Sequence, residues 1–143
     1  MPHHPKLCFV IADGGHARFV HPARDNALHT VETVDSTNVH KLTQDLVSDR
    51  SGPGITPRHD PHELEKTRFA QRVGERVKYD STAGAFDTLV LVAPSHVLRE
   101  MMDALDPPAK AKLAGTLAKD LTKVPDHELW PHLKEWVNPT QRA

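Results

Sequence analysis

Two stretches of the chain contain a run of consecutive apolar residues, and both predict strands at the centre of a sheet. They read "LCFVIA" over residues 7–12 and "DTLVLVAP" over residues 87–94. A strand with one face in water alternates apolar and polar side chains, whereas a strand covered on both faces does not. We therefore predict that the two strands are central, adjacent and parallel.

The chain that follows the first apolar run predicts two further strands. "DGG" is a good hairpin turn because glycine adopts positive φ easily, and "HARFVHP" (residues 16–22) is expected to pair back. "LHTVETVDS" (residues 28–36) is rich in β-branched residues, which favour strands. Strands joined by short turns form an antiparallel meander, so both are expected to lie outward of the first strand.

A long helix is predicted over residues 62–79, "HELEKTRFAQRVGERVKY". Its start is well marked, because Asp60 can cap the helix and Pro61 suits the first helical position. Apolar residues then recur at every fourth position, namely Phe69, Val73 and Val77. This spacing places them on one face of a helix, the face expected to meet the sheet.

The rest of the chain alternates helices and strands. Ser95 is expected to cap a helix over residues 96–105, "HVLREMMDAL". "AKAKLAG" (residues 109–115) predicts a short helix and "TLAKDLTKV" (residues 116–124) a weaker strand. "DHELWPHLKEWV" (residues 126–137) predicts a closing helix, which can begin at its internal proline because proline is tolerated in a first turn.

The order of predicted elements is β-β-β-α-β-α-(α)-β-α. The later strands should add parallel to the first through right-handed crossovers. We therefore predict an α/β fold: a mixed five-stranded, ribonuclease H-like sheet, an antiparallel meander followed by βα units, with helices on both faces. Its 143 residues are expected to form a single domain with a core at about 7–137 and short flexible termini.

Composition excludes several classes of protein. A formal net charge of -1 supplies no global field toward nucleic acid or anionic lipid, so such binding would need a local patch. The only cysteine, Cys8, rules out an intramolecular disulfide and suits a reducing compartment. The apolar run near the start is too short for a signal peptide or a membrane span. We expect a cytoplasmic protein that does not engage a membrane.

Five segments together resemble the bacterial host attachment protein family: "FVIADGGHARFV", "SDRSGPG", "HDPHELEKTRFAQRV", "FDTLVLVAPSHVLREM" and "KDLT". The resemblance runs in order from about Leu7 to Trp136. That family is in turn similar to the middle domain of archaeo-eukaryotic peptide-chain release factors, whose fold is ribonuclease H-like. There the loop before the long helix carries a Gly-Gly-Gln motif that enters the peptidyl-transferase centre. Here the loop is "DRSGPGITPRHD", which has Gly52 and Gly54 but no glutamine, so the release reaction is not implied.

Two groups of residues are candidates for partner binding. The loop over residues 49–62 combines backbone N–H groups with basic side chains ahead of a helix amino end, which suits a phosphate or carboxylate. An ordinary connection is the alternative, although so long a loop is unusual in a compact domain. The candidates in the loop are Arg50, Ser51, Gly52, Gly54, Arg58 and His59.

The second group is a row of arginines on the helix, Arg68, Arg72 and Arg76. Like charges four residues apart repel by about 0.2–0.5 kcal/mol per pair. A phosphate partner would relieve this repulsion, and so would acidic neighbours such as Glu65 and Glu75. Arginine stems laid along the edge of the core are a third explanation.

No catalytic residue, metal site or cofactor is predicted. The histidines lack metal-ligand spacing, and Asp13 is accounted for by the hairpin turn. The leading hypothesis is a non-catalytic, release-factor-like module that contacts the ribosome or RNA through loop 49–62 and the following helix. A host-attachment-related regulatory protein with a protein partner is the alternative, and a small hydrolase is a weaker one. The partner's identity and the oligomeric state are left open.

Overall fold

The computed structural model describes residues 6–22, 27–36 and 61–137, apart from the side chains of residues 61–63. Its strands are β1 (Leu7–Ala12), β2 (His16–Pro22), β3 (Leu28–Asp35), β4 (Thr88–Val92) and β5 (Leu113–Leu117). Its helices are α1 (Pro61–Thr82), α2 (Ser95–Asp103), α3 (Pro107–Ala111) and α4 (Trp130–Val137), with a 3-10 turn at Asp126–Glu128. In these ranges, no helix combines the length and apolar character that a membrane crossing requires.

The five strands form one mixed sheet in the order β3-β2-β1-β4-β5. β1 runs antiparallel to β2 and parallel to β4, so that Val10 lies opposite Phe19 on one side and Leu91 on the other. β3 extends the meander and β5 adds parallel to β4. The predicted topology is confirmed, with both apolar runs in adjacent central strands. This strand order and direction is the ribonuclease H-like arrangement.

Helices cover both faces of the sheet and create two apolar cores. One core joins alternate residues of β1 and β4, such as Val10 and Leu91, to the apolar seams of α1 and α2. The other joins the intervening residues, such as Phe9 and Val90, to Leu133 of α4. From Leu7 to Ala12 and from Leu89 to Val92, each residue of these central strands therefore meets one core or the other, which is the physical reason why both stretches are apolar.

α1 packs against both the sheet and α2. Its buried face carries Phe69, Val73 and Val77, as the four-residue spacing predicts. Gly74 lies where the two helices touch: a methyl group there would come within 2.7 Å of both the Ala104 Cβ and the Met101 carbonyl oxygen. The absence of a side chain at this position allows the close approach of α1 to the end of α2.

Two local predictions were wrong. β5 is Leu113–Leu117 and not residues 116–124, because pairing with β4 and packing under α4 select the segment around Gly115. A methyl group on Gly115 would lie 2.7 Å from the Trp136 indole nitrogen, a contact that local strand propensity does not reveal. Ser95 is also not a cap; it is the first residue of α2, whose amino end follows Pro94 without a side-chain capping bond.

Candidate functional site

The predicted site is only partly within the described residues. The loop candidates Arg50, Ser51, Gly52, Gly54, Arg58 and His59 lie outside them. The arginine row lies on α1, where Arg68 is exposed and Arg72 and Arg76 are partly buried. The site is therefore built here from the residues that flank the loop and from the surfaces beside them.

The turn between β1 and β2 is held by the carboxylate of Asp13. Its Oδ1 accepts hydrogen bonds from the backbone N–H groups of Gly15 at 2.8 Å and His16 at 2.7 Å. Its Oδ2 accepts from the Thr122 hydroxyl at 3.0 Å. Partial burial by itself would raise the pKa of Asp13, but these hydrogen bonds outweigh it and lower the pKa below its usual value. The interpretation of Asp13 as a turn residue is confirmed.

Chain segments on both sides of residues 37–60 contact this same turn. Before residue 37, the backbone N–H of Ser36 donates to the Gly15 carbonyl oxygen at 3.1 Å. After it, the side chain of Lys66 in α1 lies over Gly14, where an added methyl group would be 2.6 Å from the lysine Cγ. The segment that contains the candidate loop thus leaves and rejoins the described structure beside the β1–β2 turn.

The β1–β2 turn lies at the carboxyl edge of the parallel strands. β1 ends directly before it, and the chain after β5 joins it through Thr122, whose hydroxyl bridges Asp13 and Asp120. Ligands of open α/β sheets bind in the crevice outside the carboxyl ends of the strands. This edge, with the amino-terminal half of α1 above it, is therefore the place where the fold favours a site.

Arg76 has a full set of partners within the chain. Its Nη2 lies 2.8 Å from Glu32 Oε1 on β3, and its Nε lies 3.1 Å from Asp80 Oδ1 one turn along α1. The guanidinium also sits 5.5 Å from the centre of the Phe19 ring. The acidic neighbours of this arginine are thus Glu32 and Asp80, where the sequence suggested Glu65 and Glu75 for the row.

The charges in this cluster are partly buried, and their pKa values move accordingly. Burial by itself would lower the pKa of Arg76, but the charges of Asp80 and Glu32 raise it. Burial raises the pKa of Asp80, and the attraction of Arg76 offsets this only in part. Both pKa values rise, because Arg76 has two carboxylate partners, whereas Asp80 shares the one guanidinium with Glu32, whose charge also raises the pKa of Asp80. Arg76 therefore remains charged and ties α1 to the edge strand.

A groove opens on the opposite face of the sheet, at the same edge. It has a volume of about 300 Å³. Its polar lining comes from the start of β2, the end of β3 and the segment after β5: His16, Arg18, Thr33, Asp35, Thr122 and Lys123. Sequence reasoning missed this groove, because it depends on two strands and a distant loop coming together.

Arg18 is the buried centre of the groove wall, with only 8% of its surface exposed. Its Nη1 donates to the carbonyl oxygens of Leu121, Thr122 and Val124. Its Nη2 lies 2.5 Å from Asp126 Oδ1. In "HARFVHP" successive side chains alternate between the two faces of the sheet, and Ala17 and Phe19 face α1. Arg18 therefore points to the face away from α1, and this alternation was the one signal in the sequence for its position.

Thr30 completes the arrangement around Arg18. Its hydroxyl accepts from Arg18 Nε at 3.1 Å and lies 2.5 Å from Asp126 Oδ1. Its backbone N–H donates to Asp126 Oδ2 at 2.9 Å. Although partial burial would raise the pKa of Asp126, these bonds and the charge of Arg18 lower it. The segment after β5 is consequently fastened to both β2 and β3.

Neither a nucleophilic role for Cys8 nor a metal site is supported in the part of the chain that the structure describes. Burial, with a smaller contribution from the Asp80 charge, raises the pKa of the Cys8 thiol to about 12. A thiol with such a pKa is not a nucleophile near neutral pH. No group of three or more histidine, cysteine, aspartate or glutamate side chains there is arranged to hold a metal ion.

Comparison with known proteins identifies the family. A similar solved structure is the crystal structure of an archaeal translation termination factor, aRF1, with a TM-score of 0.49 and 14% sequence identity. The match covers 96% of this chain and 40% of that chain, so the present chain spans well under half the length of that protein. No curated protein matches. The family model described as "Protein required for attachment to host cells" matches residues 8–133, which is most of the sequence. The chain therefore belongs to this family.

Proposed function

We propose that the chain is a non-catalytic binding module that contacts the ribosome or RNA through loop 49–62 and α1. The observation that carries this proposal is the position of the two segments that flank residues 37–60. Ser36 and Lys66 both contact the β1–β2 turn, at the edge where open α/β sheets bind their ligands. A loop tethered at both ends beside a ligand-binding edge is well placed to reach a partner.

The charge on α1 favours a phosphate-bearing partner. The amino end of a helix carries a partial positive charge, to which Arg68 and Arg72 add their guanidinium groups. Arg76 anchors the helix to β3 through Glu32. The resemblance in sequence to the middle domain of release factors suggests that the phosphates belong to ribosomal or other RNA, which a protein meets in the cytoplasm.

A protein partner is the second candidate, and it has one observation of its own. Val31 on the edge strand β3 is 61% exposed and Tyr79 on α1 is 51% exposed. They are the large apolar side chains that the described residues leave in water. Exposed aromatic and aliphatic side chains are common in protein interfaces, and the family description names attachment to host cells. In this alternative the chain would regulate attachment by binding another protein.

Co-sedimentation with ribosomes and binding to single-stranded RNA across a salt series will test the proposal. Affinity should fall steeply with salt, and Arg68→Ala should flatten the log–log slope by about one unit if it removes one phosphate contact. Stability should change by no more than about 0.5 kcal/mol, because Arg68 is exposed.

Lys110→Ala is the matched control. Lys110 is also exposed, but it lies in α3 before the start of β5, at the opposite edge of the sheet. Its removal changes the net charge by the same amount and should leave the slope unchanged. Equal effects of both variants, or no salt-dependent binding by the wild-type chain, would contradict the proposal.

A further inference from the structure

Tyr79 presents an aromatic ring on the surface of α1. The residue is 51% exposed. One exposed apolar residue is ordinary at a protein surface, so what this ring can bind depends on the residues around it. Those residues are the arginine row toward the amino end of the helix and the ion pair between Arg76 and Glu32 beside it.

Tyr79 lies on the same side of α1 as the first two arginines of the row. An α-helix has 3.6 residues per turn, and Tyr79 follows Arg68 by eleven positions, which is close to three full turns. The two side chains therefore leave the helix within about 20° of each other and about 16 Å apart along its axis. Arg72 lies between them on the same stripe. A basic group and an exposed ring thus follow one line along the helix.

The two ends of this stripe differ in charge. Arg68 is exposed and lies in the amino-terminal half of α1, where the helix itself contributes partial positive charge. Near Tyr79, the guanidinium of Arg76 is already balanced by Glu32 at 2.8 Å and Asp80 at 3.1 Å. Phosphate contacts are therefore favoured at the Arg68 end. At the Tyr79 end the available group is the ring.

The ring projects from a rigid part of the helix. Two guanidinium nitrogens of Arg76 lie 2.8 and 3.3 Å from the two carboxylate oxygens of Glu32 on β3, and the same group sits 5.5 Å from the centre of the Phe19 ring on β2. The backbone three residues before Tyr79 is thereby fixed to two strands. A ring on a fixed element loses little conformational entropy when it binds.

RNA fits this surface better than a second protein does. Among the described residues, the exposed large apolar side chains are Tyr79 and Val31, on different elements. A specific protein interface buries about 800 Å² per partner, which two such side chains do not supply. Glu65 and Glu75 border the stripe and limit the number of phosphates that it can hold, so that affinity depends on a contact other than charge.

We infer that Tyr79 stacks on an unpaired base of a single-stranded RNA whose phosphates contact Arg68, an inference that rests on the proposed function. Aromatic side chains stack on bases of any sequence, because every base has a π-face. A duplex keeps its bases paired and stacked on each other, so it offers this ring no free face. Tyr79 therefore makes the chain prefer single-stranded RNA, with little preference among the four bases.

Fluorescence anisotropy of a labelled single-stranded RNA of mixed sequence, measured with the full chain across a salt series, will test this inference. Tyr79→Ala should weaken binding roughly 5- to 150-fold, the effect of one lost stacked base. The log–log salt slope should stay the same, because no phosphate contact is removed. Tyr79→Phe keeps the ring and should bind as the wild type does. A duplex of the same sequence should bind equally to wild type and Tyr79→Ala.

Tyr79→Leu keeps an apolar side chain without an aromatic face, and it should weaken single-stranded RNA as Tyr79→Ala does. Val31→Ala is the matched control, because Val31 is also exposed and apolar, at 61%, but lies on β3 and off the stripe. It should leave RNA binding unchanged.

Wild-type affinity in Tyr79→Ala or Tyr79→Leu, a flatter salt slope in Tyr79→Ala, or an equal loss with the duplex would overturn the inference. If Arg68→Ala flattens the slope while Tyr79→Ala binds as the wild type does, the stacking inference is wrong and the proposed function stands. If the wild-type chain binds neither RNA nor ribosomes, the proposed function fails and the stacking inference fails with it.

Discussion

Replacement of Arg18 by methionine is expected to destabilise the fold more than any surface substitution. The change keeps a long side chain but removes the guanidinium, which contacts three carbonyl oxygens, the Thr30 hydroxyl and the Asp126 carboxylate. The carbonyl oxygens would lose their donor, and Asp126 would lose its counter-ion. The segment after β5 would then be free to leave β2.

The magnitude follows from how far each group is from water. Breaking a fully buried ion pair by removing one partner costs about 3–5 kcal/mol. Asp126 has 37% of its side chain exposed and can turn toward water, which reduces this figure. Each carbonyl oxygen left without a donor adds up to about 1–3 kcal/mol when buried, but two of the three bonds are only partly buried. We expect a net loss of about 2–4 kcal/mol in the free energy of unfolding.

Urea unfolding followed by circular dichroism measures this loss. With an m-value of about 2 kcal/mol/M, the middle of the usual range, the midpoint should fall by roughly 1–2 M without a change in m. Arg99→Met is the control, because Arg99 is exposed on α2 and should change stability by no more than about 0.5 kcal/mol. Arg18 does not hold this segment in place if Arg18→Met loses as little stability as the control. The same conclusion follows if the stability losses of Arg18→Met and Asp126→Asn simply add in the double variant.

Three further outcomes are expected. Gly74→Ala should lower the melting temperature, because the added methyl group would lie 2.7 Å from the Ala104 Cβ. Such overpacking costs about 1–3 kcal/mol, which exceeds the gain of about 1 kcal/mol from the higher helix propensity of alanine. Gly15→Ala is the control, because a methyl group on Gly15 would have no other atom within 4 Å. Folding lowers the pKa of Asp126, so the ionised carboxylate stabilises the fold fully above its unfolded pKa of about 3.9. This stabilisation is lost as the pH falls through the folded pKa. The difference in urea midpoint between wild type and Asp126→Asn should therefore narrow below the folded pKa. Cys8, with a thiol pKa of about 12, should resist iodoacetamide at neutral pH in the folded chain and react in urea, as mass spectrometry will show.

Each of these outcomes has a clear contrary result. An unchanged or higher melting temperature for Gly74→Ala would mean that α2 moves away from α1 at no cost. A pH-independent difference between wild type and Asp126→Asn would mean that the carboxylate charge does not stabilise the fold. Rapid alkylation of Cys8 in the folded chain would show that β1 opens readily.

The strand order could be predicted because it depends on local patterns and general rules. A strand with apolar side chains on both faces has to be covered on both, so "LCFVIA" and "TLVLV" had to be central. Short turns forced the meander, and right-handed crossovers oriented the later strands. The four-residue spacing of Phe69, Val73 and Val77 likewise identified the buried face of α1. None of these inferences needs a contact between distant residues.

What only the tertiary structure decided depends on partners far apart in sequence. Arg76 finds Glu32 across 44 positions, and Arg18 finds Asp126 across 108, so neither pairing has a local signature. The observed β5 lies earlier in the chain than the predicted strand, because only a glycine fits under the Trp136 ring at position 115. Strand propensity depends on neighbouring residues and does not include this contact. The groove beside Arg18 arises in the same way. Hydrophobic periodicity is a local property and can be recognised in the sequence. The role of a buried polar side chain depends on its hydrogen-bond partner, which only the fold brings into contact with it.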